Sequence, residues 1–240
     1  MNTNSLINLE RNLIHSAHIP FFGAFAQQRP QAFLSFNRLL NAYNFDTIIE
    51  IGTHDGGLST LFALYCYLSR HKAVCKDYRE PSLYKNQTHH RSPKTFVTLD
   101  IVVRDEAAIQ AIELLEGQFR QRDVLSNPEH IAELKSLIAS PQVGRVLLLC
   151  DGGSKKRELQ LYAGSLKVGD FVMLHDWAKD EAAFESNKQR GIWHSWETRW
   201  ENGIGPDQQF GIKETCQQYG IRQIHDEEFD ESVWFCGVKE

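Results

Sequence analysis

The stretch Asp46-Thr-Ile-Ile-Glu-Ile-Gly-Thr-His-Asp-Gly-Gly-Leu-Ser-Thr60 decides the fold. An apolar run (Ile48, Ile49, Ile51) stops at Gly52, a polar turn follows, and Gly56-Gly57 leads into helical spacing. A strand, a glycine turn and a helix N-terminus in this order bring bare backbone N–H groups up to a ligand. Glu50, near the strand end, argues against a phosphate loop, which has little use for a carboxylate. It argues for a ligand that carries an amine or a sulfonium. A nicotinamide turn would read G-x-G-x-x-G and a P-loop would carry Gly-Lys-Ser/Thr, and this segment has neither.

Outward from this corner, strands alternate with helices. The spacing predicts strands over Thr47–Ile51, Thr95–Leu99, Gln118–Arg122, Val146–Cys150 and Phe171–Leu174. Between and before them it predicts helices over Gln31–Asn44, Leu58–His71, Glu106–Leu115, Pro128–Ala139 (capped by Asn127) and Lys155–Leu166. Continuous apolar strands alternating with helices imply a doubly wound, mostly parallel α/β sheet with helices on both faces. Ile221–Ile224 and Ser232–Val238, joined by an acidic turn, read as a C-terminal antiparallel hairpin. Residues 1–30 read as an irregular lead-in lying over the domain, and residues 31–240 as one domain with insertions at 72–94 and 177–207. The first insertion is polar and contains His89-His90-Arg91. The second carries Trp177, Trp193, Trp196 and Trp200, and reads either as a lid or acceptor pocket, or as a helix packed on the domain.

Composition narrows the function. A chain of 240 residues with 42% apolar content can bury a full core, and a net charge of −5 argues against a broad nucleic-acid surface. No stretch is apolar for long enough to cross a bilayer. The five cysteines, Cys66, Cys75, Cys150, Cys216 and Cys236, form no CxxC pair, which fits a reduced cytoplasmic compartment.

In an open α/β sheet ligands sit beyond the carboxyl ends of the strands. Those ends carry Glu50–Gly57, Asp100, Asp123, Asp151 and His175-Asp176. Helix or turn capping is the plain alternative for Asp123 and, to a lesser degree, for Asp100. Lys155-Lys156-Arg157 reads as a solvated helix face.

The spacing resembles that of class I S-adenosylmethionine-dependent methyltransferases. Glu50-Ile-Gly52-x-x-x-Gly56-Gly57 is similar to their first motif. The run Asp151-Gly-Gly through Gly169-Asp170 to His175-Asp176 is similar to the O-methyltransferase branch related to cephalosporin hydroxylase and to rhamnosyl and macrolide-sugar methyltransferases. The resemblance implies a Rossmann-like methyltransferase fold and S-adenosylmethionine held by Glu50, Gly52, Thr53, Gly56, Gly57, Asp100, Asp123 and Asp151. Asp100 would take the ribose hydroxyls, since a carboxylate offers two acceptor oxygens. It also implies Mg²⁺ or another divalent cation at Asp151, His175 and Asp176, the same three residues that would be catalytic. The chain departs from the pattern twice, with Ser154 where the branch has a histidine and His175 where it has the first of two acids. His175 therefore reads as a metal ligand, as a general base, or as a strand-end histidine bonded into the sheet.

The expected activity is methyl transfer to a hydroxyl of a sugar or small molecule. A non-catalytic nucleotide-binding protein on the same fold, and a hydroxylase-named relative with different acceptor chemistry, are the alternatives. A homo-oligomer is left open.

Overall fold

The structure, a computed structural model, describes residues 18–21, 24–28, 30–71, 95–178, 180–189, 206–224, 229 and 232–240. The insertion at 72–94, with His89-His90-Arg91, and the tryptophans Trp193, Trp196 and Trp200 lie outside the described residues.

The chain first forms two short strands, β1 (His18–Phe21) and β2 (Ala24–Gln27), paired antiparallel. The lead-in is therefore a hairpin in this part and not irregular. Helix α1 (Pro30–Ala42) starts on a proline, whose fixed φ suits a first helical turn. Then come β3 (Thr47–Ile51), α2 (Gly57–His71), β4 (Thr95–Asp100), α3 (Glu106–Leu114), β5 (Gln118–Gln121) and α4 (Pro128–Ala139). The second half runs β6 (Val146–Cys150), α5 (Lys155–Tyr162), β7 (Phe171–Leu174), α6 (Glu181–Gln189), α7 (Pro206–Gln218), β8 (Ile221–Gln223) and β9 (Phe235–Lys239). Asn127 caps α4 as expected, its side chain accepting from the N–H groups of Glu129 and His130. Helix α5 is shorter than expected, because its last turn tightens to a 3₁₀ turn at Ala163–Ser165. The 177–207 segment is not all loop, since α6 lies inside it and starts where Asp180 accepts from the N–H of Ala183.

The seven strands lie in the order β5-β4-β3-β6-β7-β9-β8. All pairs from β5 to β7 are parallel, and β9 runs antiparallel to both β7 and β8. The chain winds outward from β3 through β4 to β5, then returns to the other side of β3 with β6 and β7. The direction reverses between β3 and β6, so a crevice opens above their carboxyl ends.

Alternation along each strand sends side chains to two cores. Ile49, Ile51, Leu148 and Cys150 pack on one face with Leu134, Ile138, Leu159 and Tyr162 of α4 and α5. Ile48, Leu147, Leu149 and Met173 pack on the other with Phe36, Leu39, Phe62 and Trp234. Phe36 anchors this second core, its ring edge-on to Phe62 at 5.1 Å and to Trp234 at 5.2 Å. Glu50 has the parity of Ile48 and so faces α2, which decides its environment. Cys66, Cys150, Cys216 and Cys236 are buried free thiols.

Asp170 ties β6 to β7 below the site. It is 1% exposed, its Oδ1 accepts from the Val146 N–H at 2.8 Å, and its Oδ2 accepts from the Lys167 N–H at 2.8 Å. Removing it leaves the first amide of β6 buried without an acceptor. Asp170→Ala should lower stability by about 1–3 kcal/mol, with Asp170→Asn recovering part of the loss. Urea titration of the three proteins checks this, and equal midpoints would refute it.

Candidate active site

The site begins where β3 and β6 meet. Past the strand ends the ladder continues, with Gly52 N–H donating to the Leu99 carbonyl at 2.8 Å and Asp151 N–H to the Ile51 carbonyl at 2.9 Å. Gly52 has φ +95°, and a Cβ there would stand 2.4 Å from the Asp151 carbonyl oxygen. Only glycine allows both the backbone angle and the approach. Gly56, at φ +77°, abuts Ala108 of α3, and Gly57 opens α2. The turn between is held by Asp100, which accepts from the His54 N–H at 3.0 Å and the Val102 N–H at 3.2 Å.

Above these ends lies a cavity of about 600 Å³. That is the size of a small-molecule site. Glu50, Gly52, Thr53, Gly56, Gly57, Asp100, Asp151, His175 and Asp176 all line it. Of the residues the sequence singled out, the structure separates only Asp123 from them. Its Oδ1 accepts from the N–H groups of Leu125 and Ser126, so it closes the turn after β5. Arg122, Val124 and Leu125 face the cavity in its place.

Glu50 is 1% exposed. Ser59 of α2 and Thr98 of β4 both donate to its Oε2, Thr98 at 2.7 Å. Burial outweighs these two bonds and pushes its pKa up from 4.5 to about 8, with Asp151 and Asp100 adding to the rise. Among the described residues no cation offsets it. A buried, uncompensated carboxyl in a cavity wall is a place for a ligand's positive charge.

On the opposite side the Asp151 side chain gathers three partners. Its Oδ1 lies 2.8 Å from His175 Nδ1 and 3.8 Å from Lys155 Nζ, and its Oδ2 accepts from Gln28 Nε2 at 3.2 Å. Gln28 is fixed in turn by Trp234 Nε1, which donates to its Oε1 at 3.0 Å. The Trp234 indole also packs against the His175 ring, centroids 4.7 Å apart. Asp176, at φ +61°, holds Lys155 Nζ at 2.6 Å from its Oδ2. Burial disfavours a charged His175, but Asp151 and Asp176 outweigh it and raise its pKa above 6.5. Burial likewise disfavours the Lys155 ammonium, and Asp176, Asp151 and Glu158 more than restore it.

Lys155, Gln28 and Glu158 were not legible as site residues. Lys155 belongs to a charge run that splits, since Lys155 turns inward while Arg157 stays exposed. The signal was its i,i+4 spacing from Asp151 at the start of a helix. Glu158 is fully buried and accepts from the N–H groups of Gly152 and Ser154, which fixes the loop that carries Asp151. Burial raises the Glu158 pKa to about 7. Gln28 had no sequence signal, because its partners lie 123 and 206 positions away.

Asp151, His175 and Asp176 place one ligand atom each within 4.8 Å of one another. Mg²⁺ needs a near-octahedral set of oxygens at about 2.0–2.1 Å. Here the third donor is a nitrogen and both carboxylates already face an ammonium. This arrangement does not fit Mg²⁺ while Lys155 stays in place.

No known protein-family profile matches the sequence. No curated protein matches it either. Among solved structures the chain is similar to CmcI in its apo form, with a TM-score of 0.51 and 12% identity over 92% of this chain and 76% of CmcI. The chain has a Rossmann-like methyltransferase fold. Weaker likenesses are CmcI with Mg and SAM (TM-score 0.47, 11% identity, 92% of this chain and 77% of that one). TomG, an O-methyltransferase from Streptomyces achromogenes involved in tomaymycin synthesis, solved with SAM, is another (TM-score 0.45, 13% identity, 95% and 88%). At these identities the likeness speaks to fold, and the chemistry rests on the cavity. Among the described residues no helix is long and apolar enough to cross a membrane.

Glu50 generates a pH test with a definite sign. Between pH 4.5 and 8 the folded protein keeps a proton on Glu50 that the unfolded chain has lost. Its contribution is full below about 4.5 and is lost as pH rises toward 8, by up to about 1.4 kcal/mol per pH unit. Glu50→Gln removes this slope. In ligand-free urea titrations the stability of the variant relative to the parent should grow from pH 5 to pH 8, by at least about 1.4 kcal/mol. Parallel pH curves would refute the assignment.

Proposed function

We propose that the chain transfers a methyl group from S-adenosylmethionine to a hydroxyl of a small molecule or sugar. The observation that carries this reading is Glu50, a buried carboxyl with no cation beside it among the described residues, in the wall of a cavity ringed by Asp100, Asp151 and Asp176. Such a cavity attracts a ligand with positive groups, and S-adenosylmethionine carries an ammonium and a sulfonium. Gly52 and Gly57 supply backbone close to the ligand, and Asp100 can take ribose hydroxyls with the lone pairs its loop bonds leave. Val124 and Leu125, with Ile101 at the lip, offer an apolar wall for a base.

In the reaction the acceptor oxygen forms a bond to the methyl carbon as the carbon–sulfur bond breaks. The electron pair of that bond stays on sulfur, turning the sulfonium into a neutral thioether. The hydroxyl proton must leave, and His175 is the base the site provides. Its Nδ1 faces Asp151 Oδ1 at 2.8 Å, which fixes the proton on Nδ1 and leaves Nε2 as the basic nitrogen. Asp151 and Asp176 then stabilise the imidazolium. Much of the rate would come from alignment of oxygen, carbon and sulfur in a cavity with few waters.

Calorimetry with S-adenosylhomocysteine tests the cofactor half, and one site of micromolar affinity is expected. Absence of heat at high micromolar ligand overturns the reading. Asp100→Ala should weaken this binding by about 1–3 kcal/mol, and unchanged affinity would remove Asp100 from the site. Product mass tests the acceptor half, since methyl transfer adds one CH₂ to the acceptor whereas hydroxylation adds one oxygen.

A further inference from the structure

We propose that Lys155 is a resident cation, its ammonium filling between Asp151 and Asp176 the position that a divalent metal would otherwise occupy, so that the acceptor side works without a metal. The use of this cation rests on the methyl-transfer reading, whereas its presence rests on geometry alone.

Lys155 is the first residue of α5. Its Nζ lies 2.6 Å from Asp176 Oδ2 and 3.8 Å from Asp151 Oδ1, and its side chain is 16% exposed. The backbone beneath it is not free to swing. Glu158, one turn on, accepts from the N–H groups of Gly152 and Ser154, and a Cβ at Gly152 would lie 2.7 Å from Glu158 Oε1 and displace the carboxyl that holds the loop. Asp176 has a left-handed backbone angle, and its carboxylate meets the lysine directly. The ammonium thus lies between Asp176 and a loop that is itself fixed.

Charge accounting points the same way. With His175 neutral, Asp151, Asp176 and the Lys155 ammonium together carry one net negative charge, half of what two free carboxylates would offer a metal. A dication added to the same carboxylates would stand beside the ammonium and near the sulfonium, with like charges crowded in a partly buried space. Lys155 lines the cavity, so N–H groups not used on Asp176 can donate to an acceptor oxygen. There the ammonium would stabilise the negative charge that grows on oxygen as its proton leaves, which is the electrostatic part of what a metal does. The fitting ligand is an acceptor with a hydroxyl, or a hydroxyl next to a second oxygen.

Mn²⁺ is the probe, read by calorimetry and by loss of its free-ion EPR signal. The parent protein should show no saturable Mn²⁺ binding below about 1 mM, on the scale of weak association. Lys155→Met keeps the bulk, removes the charge and exposes an Asp–His–Asp donor set that suits Mn²⁺, so its affinity should rise at least tenfold. Lys155→Ser serves in the same way should the Met variant not fold. Stoichiometric micromolar Mn²⁺ binding by the parent, lost on Asp176→Ala, would overturn the proposal. So would variants that fold but bind Mn²⁺ no better than the parent. S-adenosylhomocysteine binding, measured on the same preparations, judges the methyl-transfer reading separately.

Discussion

The site depends on how closely two backbones approach. At Gly52 the rim of β3 lies against the carbonyl of Asp151 at the rim of β6, with no room for a single carbon between them. This contact sets the distance across the crevice. It brings the glycine turn, with Glu50 and Asp100, within one cavity of Asp151, His175 and Asp176. A side chain at position 52 would prise the two halves of the sheet apart at the point where the winding reverses. Much of the remaining construction keeps that seam aligned, with Asp170 locking β6 to β7 below it and Glu158 pinning the loop above it.

The electrostatics of the cavity are divided. Glu50 sits among neutral hydroxyls with no cation beside it among the described residues, while Asp151 and Asp176 share one from the protein itself. Both walls bear carboxyl groups, but of these only Asp151 and Asp176 have an ammonium beside them among the described residues. The division gives the cavity a direction, with an uncompensated carboxyl at one end and a lysine–histidine pair at the other. The stability that Glu50 forfeits above pH 4.5 is a usual sign of a binding wall optimised for something other than folding.

Most of the sheet was legible because its signals are local. Thr47–Ile51, Val146–Cys150 and Phe171–Leu174 are short apolar runs bounded by turn residues, and each emerges as a strand with the same limits. Asn127 before Pro128 announces its helix for the same reason. The glycines at 52, 56 and 57 and the acids at 100, 151 and 176 were legible because the fold class places strand ends at one rim. Asp123 was not, since an aspartate after a strand closes a turn as readily as it meets a ligand, and only the local hydrogen bonds decide. Lys155 was hidden by its neighbours Lys156 and Arg157, which make it look like part of a solvated run. The two departures, Ser154 and His175, become intelligible beside it. A site with one carboxylate fewer and one ammonium more is a site that carries its own positive charge.

Gln28 has a consequence for how the molecule comes together. It bonds both Asp151 and Trp234, and the second contact spans 206 positions of sequence. A loop of that length closes late, after the parallel strands have found each other. Until β9 docks and brings the indole with it, Gln28 is unanchored, the His175 ring lacks its stacking face, and the acid cluster stands open to water. A nearly complete sheet would thus still lack one wall of the cavity. That wall is finished only when sequence from the last tenth of the chain meets sequence from the first eighth.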